Sequence, residues 1–163
     1  MFKYFVISLV LGVVVQGAVA DEAPPAVTVP RLSMETALTI AQGAVEACRK
    51  EGIQITATVV DRGGTVQVAL RDTIAAPITV TISRQKAFTA VNFNAATSAM
   101  GDRAGTPIGR LPGVVMWPGG LPIQAGGSLM GGVGVSGAPS GTTDEACAQA
   151  GIDRVIDDLE MAM

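Results

Sequence analysis

Lys86 is the residue of this sequence whose surroundings most favour chemistry. It lies among Ala87, Phe88 and Ala90 in a mostly apolar segment that is predicted to be helical. A partly buried lysine can have a lowered pKa and act as a base or as a Schiff-base nucleophile. The alternative is a lysine that extends to solvent or pairs with Asp61. Lys86, with Asp61 beside it, is therefore the catalytic candidate.

Asp61 and Arg62 stand at the end of a predicted strand, directly before two glycines. Polar side chains at such a position commonly stabilise the turn by bonding to its backbone. The alternative is a polar lip that pairs with Lys86 or with a ligand carboxylate. Both interpretations remain open, so Arg62 is a candidate ligand-binding residue.

Glycine is concentrated in residues 118–138, where it provides eight of 21 residues. Within them GVGVSG (132–137) has the glycine spacing of a dinucleotide-binding loop, but that loop must follow a strand and open a helix. Here the match lies inside a β-branched run, and the next predicted helix starts only at residue 143. We therefore expect no NAD site. The glycines are assigned to turns, to close backbone contacts, to a ligand wall or to a tight subunit contact.

The same segment contains candidate ligand contacts. Gly119, Gly120 and Pro122 fix a backbone bend, and free N–H groups at such a bend can receive an anion. Ser136 ends the last predicted strand, where it either contacts a ligand or hydrogen-bonds to a turn.

Met116 and Trp117 are neighbours, and Trp117 is the only tryptophan. Together they could line a flat apolar pocket, or they could belong to the core. Further on, Asp144 is predicted to cap the last helix. It is adjacent to Glu145, and adjacent residues do not face each other on a helix, so the two form no carboxylate pair.

Histidine is absent from the sequence. Its absence removes the usual general base, the usual triad member and the commonest metal ligand. The two cysteines, Cys48 and Cys147, are too few for a structural zinc site, so we expect no zinc. In an oxidising compartment they could form a disulfide. Two free buried thiols are the alternative, and the sequence leaves both open.

The first 20 residues are typical of a secretory signal peptide. Lys3 precedes a short apolar run, and small residues end the segment at Ala20. The run is too short to span a membrane comfortably. Cleavage after Ala20 would place the protein in the periplasm or outside the cell.

The chain that remains has the length of one domain. Residues 21–32 are proline-rich and are expected to form an extended leader to a single domain over residues 33–163. Without Lys3, 10 basic residues stand against 14 acidic ones. No basic cluster is present to neutralise phosphates, so we expect no nucleic-acid partner. Nor do we expect any membrane association after signal cleavage.

Periodicity and turn residues predict a helix, a β-hairpin, a second helix, two or three strands and a last helix. Runs of strands joined by tight turns indicate an α+β fold with a central antiparallel sheet flanked by helices. The predicted helices cover residues 33–52, 86–94 and 143–163, and the predicted strands cover 53–61, 65–70, 114–117, 121–124 and 128–136.

Four stretches of the sequence resemble the GlcG/HbpS-like family of haem-degrading domains, which includes the C-terminal domain of PduO-type proteins. The resemblance covers roughly residues 33–160. It implies a profilin-like α+β domain in which the first and last helices share one face of the sheet, an arrangement that would allow a Cys48–Cys147 bridge. The stretches are VVDRGGTVQVALR (59–71), RQKAFTA (84–90), PGGLPI (118–123) and GGVGVSGAPSGTTDEACAQAG (131–151).

The resemblance also implies a tendency to form homo-oligomers and a possible haem cofactor. This sequence departs from the haem-binding pattern because it offers no histidine. Axial ligation would fall to another residue type, or haem would bind without strong ligation in an apolar slot. The candidate axial ligands are Met34, Met100, Met116, Met130, Lys86 and the cysteines.

Three functions follow from these observations. The first is an exported protein that binds a small organic molecule, haem among the candidates, as an accessory or sensor-linked module. The second is an oligomeric accessory subunit of an oxidoreductase. The third is a small enzyme of a catabolic pathway that depends on Lys86.

Overall fold

The computed structural model describes residues 24–163. The predicted signal peptide, residues 1–20, lies outside this range. Residues 24–33 contain no helix or strand. Within residues 24–163, no helix is both long and apolar enough to cross a bilayer.

Residues 24–163 form four helices and four strands, with two short 3₁₀ helices between α2 and β3. In chain order they are α1 (Met34–Lys50), β1 (Thr56–Asp61), β2 (Val66–Arg71), α2 (Ile78–Phe93), β3 (Gly120–Ala125), β4 (Ser128–Ser136), α3 (Gly141–Ile152) and α4 (Ile156–Met161). The 3₁₀ helices are Thr97–Arg103 and Ile108–Arg110.

The strands form one antiparallel sheet in the order β2-β1-β4-β3. α1 and α3 pack against each other on one face of the sheet, and α2 covers the other face. The predicted α+β class, with an antiparallel sheet flanked by helices, is confirmed.

The ends of α1 follow from its local sequence. The Ser33 hydroxyl accepts a hydrogen bond from the Thr36 amide at 3.1 Å, which satisfies one of the unpaired N–H groups of the first turn. Beyond the last turn Gly52 has a φ of +74°, a conformation that glycine adopts without strain. Both helix signals predicted from the sequence are confirmed.

Strand β1 is buried on both faces, and its alternation separates two kinds of packing. Ala57 and Val59 belong to the large apolar core beneath α1 and α3. On the opposite face, the hydroxyl of Thr58 lies 2.8 Å from that of Ser83 in α2. The buried threonines are therefore satisfied by α2, as buried hydroxyls must be.

The glycines of β4 allow α2 to lie directly on the sheet. A Cβ at Gly134 would overlap the Ser83 carbonyl oxygen and would lie 2.5 Å from the amide nitrogen of Ala87. A Cβ at Gly132 would lie 2.8 Å from the carbonyl oxygen of Ala87. Of the uses the sequence left open, close backbone contact is the one that these strand glycines serve.

Cys48 of α1 and Cys147 of α3 form a disulfide, with Cα atoms 5.6 Å apart. The bridge joins positions 99 residues apart in the sequence and ties the two helices of the large core together. Gly151 lets these helices approach closely, since a Cβ there would contact the backbone of Ile40. The alternative of two free thiols does not describe this structure.

Two predicted elements are wrong, and a third is too short, since α2 begins at Ile78 and not at residue 86. Residues 114–117 form no strand, because Gly113 turns the chain with a φ of +88° and the Val115 amide bonds to the Thr89 hydroxyl at 2.9 Å instead of to a strand. The C-terminal helix is split into α3 and α4 by a break at residues 153–155.

Candidate functional site

Lys86 forms a buried ion pair with Asp144. Its Nζ lies 2.8 Å from Oδ2 of Asp144, and each residue is only 3% exposed. The predicted pairing of Lys86 with Asp61 is wrong, because α2 directs the lysine across the sheet towards the first turn of α3. Asp144 is also not the cap of that helix, since the Ser140 hydroxyl accepts the capping bond from the Thr143 amide.

The surroundings of the pair satisfy its remaining polar atoms. Lys86 Nζ also donates to the Val135 carbonyl at 2.9 Å, and Asp144 Oδ1 accepts from the Ala138 amide at 2.9 Å. A Cβ at Gly119 would lie 2.7 Å from Nζ, so only glycine leaves room for the lysine. Burial raises the pKa of Asp144, while the hydrogen bond from Lys86 opposes that rise. The pair connects α2, β4 and α3, and Lys86 lines none of four pockets on the surface of residues 24–163.

Asp61 and Arg62 are occupied by the turn that follows β1. Asp61 Oδ1 accepts from the amides of Gly63 at 2.8 Å and Thr65 at 2.9 Å. Arg62 donates to the Leu129 carbonyl at 2.7 Å, which fastens the turn to β4. Asp61 and Arg62 therefore stabilise the turn, which was one of the two interpretations that the sequence left open. They do not pair with Lys86.

The glycine bend before β3 does not present free N–H groups. The Gly119 amide donates to Oε2 of Glu145 at 3.1 Å, and the Gly120 amide donates to the Thr97 hydroxyl at 2.9 Å. The predicted anion-receiving bend is wrong, because both donors are used within the protein.

The other candidate ligand contacts are also separated. Pro122 lies half-buried in the edge strand β3, and Ser136 is buried at the end of β4. Met116 is 3% exposed, whereas its neighbour Trp117 is 60% exposed. The two therefore have different environments and do not form the shared flat pocket that the sequence suggested.

A different group of residues lines a mainly apolar pocket of the described chain. It has a volume of about 320 Å³ and lies between α2, the β1–β2 turn and the segment before β3. None of the site candidates taken from the sequence lines it. The lining residues are Gly64, Thr65, Val66, Arg84, Gln85, Phe88, Pro112 and Gly113. We call this the Phe88 pocket.

The ring of Phe88 is held between two glycines with positive φ. A Cβ at Gly64 (φ +83°) would lie 2.8 Å from Cδ2 of the ring. A Cβ at Gly113 (φ +88°) would lie 4.0 Å from Cδ1, on the opposite ring edge. Both positions also favour glycine because their φ angles are positive, which residues other than glycine rarely adopt. The ring of Phe88 is therefore only half-buried and leaves apolar surface at the pocket.

Arg84 supplies charge to the same pocket. It lies one helical turn before Phe88, at the i, i+4 spacing that places two side chains side by side. Its side chain is exposed, and no other described residue forms a salt bridge or hydrogen bond with it. An aromatic ring beside an unpaired guanidinium suits a flat organic molecule that carries a carboxylate. The i, i+4 spacing of Arg84 and Phe88 was the sequence signal that could have found this site.

One antiparallel sheet lies between α1–α3 and α2, with the Phe88 pocket against α2, and this arrangement defines a single-sheet α+β domain. The family profile described as "Haem degrading protein HbpS-like" matches residues 32–153. The chain therefore belongs to the HbpS-like family, as the sequence motifs indicated. A search of curated proteins finds no match.

Solved structures agree with this assignment. A double mutant of HbpS from Streptomyces reticuli is 38% identical, with a TM-score of 0.77 over 84% of this chain and 95% of that one. A structure described as a PduOC:heme complex is 28% identical, with a TM-score of 0.70 over 76% and 94% of the two chains. The Klebsiella pneumoniae protein ORFY, 23% identical with a TM-score of 0.74 over 80% and 94%, shows the same fold.

Within residues 24–163, no residue of a type that commonly binds haem iron lines the Phe88 pocket. Met100, Met116 and Met130 are buried in the protein, at 3%, 3% and 5% exposure. Both cysteines are in the disulfide and Lys86 is paired with Asp144. Met34 is exposed, but it begins α1 on the opposite face of the sheet.

Proposed function

We propose that this protein is an exported binding protein for a flat organic anion, with porphyrins such as haem as its ligand class. The observation that carries the proposal is the Phe88 pocket, where an aromatic ring and an unpaired arginine line one apolar cleft. A volume of about 320 Å³ is at the lower end of the range for ligand sites. A porphyrin would therefore be covered on part of its surface.

Two observations support the ligand class. A structure 28% identical to this chain is described as a haem complex, and the match covers 94% of that structure's chain. The family description also names haem. A porphyrin combines a large flat apolar ring with carboxylates, which are the two features that Phe88 and Arg84 complement.

Export is supported by the layout of residues 1–20 and by the disulfide. Structural disulfides persist in oxidising compartments and are rare in the cytosol. The bridge between Cys48 and Cys147 suits a periplasmic or secreted protein. Fractionation of cells that express the full chain, with N-terminal sequencing of the product, tests cleavage after Ala20.

The binding proposal is tested by calorimetric titration of the purified protein with haemin. Val66 lines the pocket on the edge strand β2, so Val66→Trp fills the cleft with a residue that strands tolerate. The matched control is Ile74→Trp, which adds the same side chain at an exposed position outside the pocket. Saturable binding that is lost in Val66→Trp and kept in Ile74→Trp is expected. Equal binding by all three proteins, or none by the wild type, would exclude the pocket as a haemin site.

The alternative of a lysine-dependent enzyme has less support. Lys86 is buried and hydrogen-bonded to Asp144, and the candidate base Asp61 is bound by the β1–β2 turn. A reactive lysine must reach the substrate carbonyl, whereas this one is 3% exposed and its Nζ is held by Asp144 and by the Val135 carbonyl.

An accessory role, as a sensor-linked module or an oxidoreductase subunit, stays part of the proposal, and so does the homo-oligomer. Trp117 is a large apolar side chain exposed to solvent, of the kind that subunit contacts commonly cover. Light scattering of the purified protein measures the assembly state directly. A monomer at all concentrations would remove the oligomer from the proposal.

A further inference from the structure

The Phe88 pocket offers a ligand an apolar surface and a charged group, but it lacks a residue that commonly binds haem iron. Phe88 offers the apolar surface on which a flat ring can lie, and Arg84 offers a guanidinium for a carboxylate. None of the lining residues has a side chain of the types that commonly bind haem iron, which are histidine, cysteine, methionine and tyrosine.

The rest of the described chain does not supply the missing ligand. Histidine is absent from the whole sequence, and the only tyrosine, Tyr4, lies in the predicted signal peptide. Three methionines are buried in the protein, and both cysteines are bonded to each other. The exposed methionines lie on α1 or at the C-terminal end with α4, and both helices pack into the large core on the opposite face of the sheet from α2.

We propose that this chain recognises porphyrins by their ring and carboxylates, with Phe88 and Arg84 as the contacts, and without a bond to the metal. This inference rests on the proposed function. It predicts a ligand range different from that of a haem protein, because a porphyrin with iron and one without would satisfy the pocket equally.

In this proposal the guanidinium group of Arg84 binds a carboxylate of the porphyrin. A hydrogen bond to a charged group contributes about 1.5–3 kcal/mol, which corresponds to a factor of about ten or more in affinity. Lysine at the same position keeps the charge but loses the two parallel N–H groups that match a carboxylate. We therefore expect Arg84→Lys to bind with intermediate affinity.

The test compares haemin with metal-free protoporphyrin IX by calorimetric titration of the purified protein. The two ligands are expected to bind with Kd values within about three-fold of each other, a difference under about 1 kcal/mol. Arg84→Gln is expected to weaken both by about ten-fold, and by the same factor for each. Lys50→Gln makes the same change in net charge at an exposed position on α1, across the sheet, and is expected to leave both unchanged.

The outcomes separate this inference from the proposed function. Binding of haemin at least about ten-fold tighter than binding of protoporphyrin would show that the metal is ligated, and would overturn the inference while the proposed function stands. Unchanged affinity in Arg84→Gln would overturn the carboxylate contact. Failure of both ligands to bind would overturn the proposed function as well.

Discussion

The ammonium group of Lys86 and the carboxylate of Asp144 form an ion pair 2.8 Å long, with both residues 3% exposed. Removing one partner leaves the other charge buried without compensation, which costs about 3–5 kcal/mol. We expect Lys86→Met to lower the free energy of unfolding by about that amount at neutral pH, measured by urea denaturation. The double variant Lys86→Met, Asp144→Leu is expected to recover most of the loss. A double variant less stable than Lys86→Met alone would contradict this account of the pair.

The loss in Lys86→Met should depend on pH. Burial already raises the pKa of Asp144 in the folded protein above its value in the unfolded chain, and removing the lysine takes away the hydrogen bond that opposes the rise. A group with a raised folded pKa favours folding below its unfolded pKa, and that advantage is lost as the pH rises through the folded pKa. The deficit of Lys86→Met relative to the wild type should therefore shrink as the pH falls. A deficit that is constant from neutral to acid pH would show that Asp144 does not titrate.

The two lysines beyond residue 20 should differ in reactivity. Lys50 is exposed at the end of α1, whereas Lys86 is buried and hydrogen-bonded. Reductive methylation of the folded protein, read by peptide mass spectrometry, is expected to modify Lys50 and spare Lys86. Modification of both at similar rates would restore Lys86 as a reactive residue.

Among the glycines that face α2, Gly134 is the one at which an added Cβ would come closest to the backbone of the helix. A Cβ there would overlap the Ser83 carbonyl, so the helix must move away from the sheet. We expect Gly134→Ala to destabilise the protein by about 1–3 kcal/mol or more, as overpacking does. Gly105→Ala is the matched control, since a Cβ at that position meets no atom within 4 Å and its φ is not positive. Equal stability of the two variants would show that α2 does not depend on this contact.

Local sequence signals predicted most of the fold. Ser33 and Gly52 mark the ends of α1, and the predicted limits of the last strand, residues 128–136, are those of β4. The failures arise where tertiary contacts override local preference. The β-branched residues 114 and 115 read as a strand, but Val115 bonds to the Thr89 hydroxyl on α2.

The candidate site was harder to predict because it depends on which side chains meet. The apolar neighbours of Lys86 indicate that it is unusual, but its partner is on α3, 58 residues away in the sequence. The sequence predicts free N–H donors at the bend glycines, but Thr97 and Glu145 accept from them. The Phe88 pocket is built from three separate segments, and only the i, i+4 spacing of Arg84 and Phe88 was visible in the sequence.

The ligand is proposed to lie in the Phe88 pocket and not against the glycine-rich strand β4. Amide chemical-shift mapping by NMR, with metal-free protoporphyrin IX added to isotope-labelled protein, tests it most directly. The largest changes are expected on Gly64, Thr65 and Gly113, which line the pocket. Changes concentrated at Gly132 and Gly134 of β4, with residues 64, 65 and 113 unaffected, would contradict it.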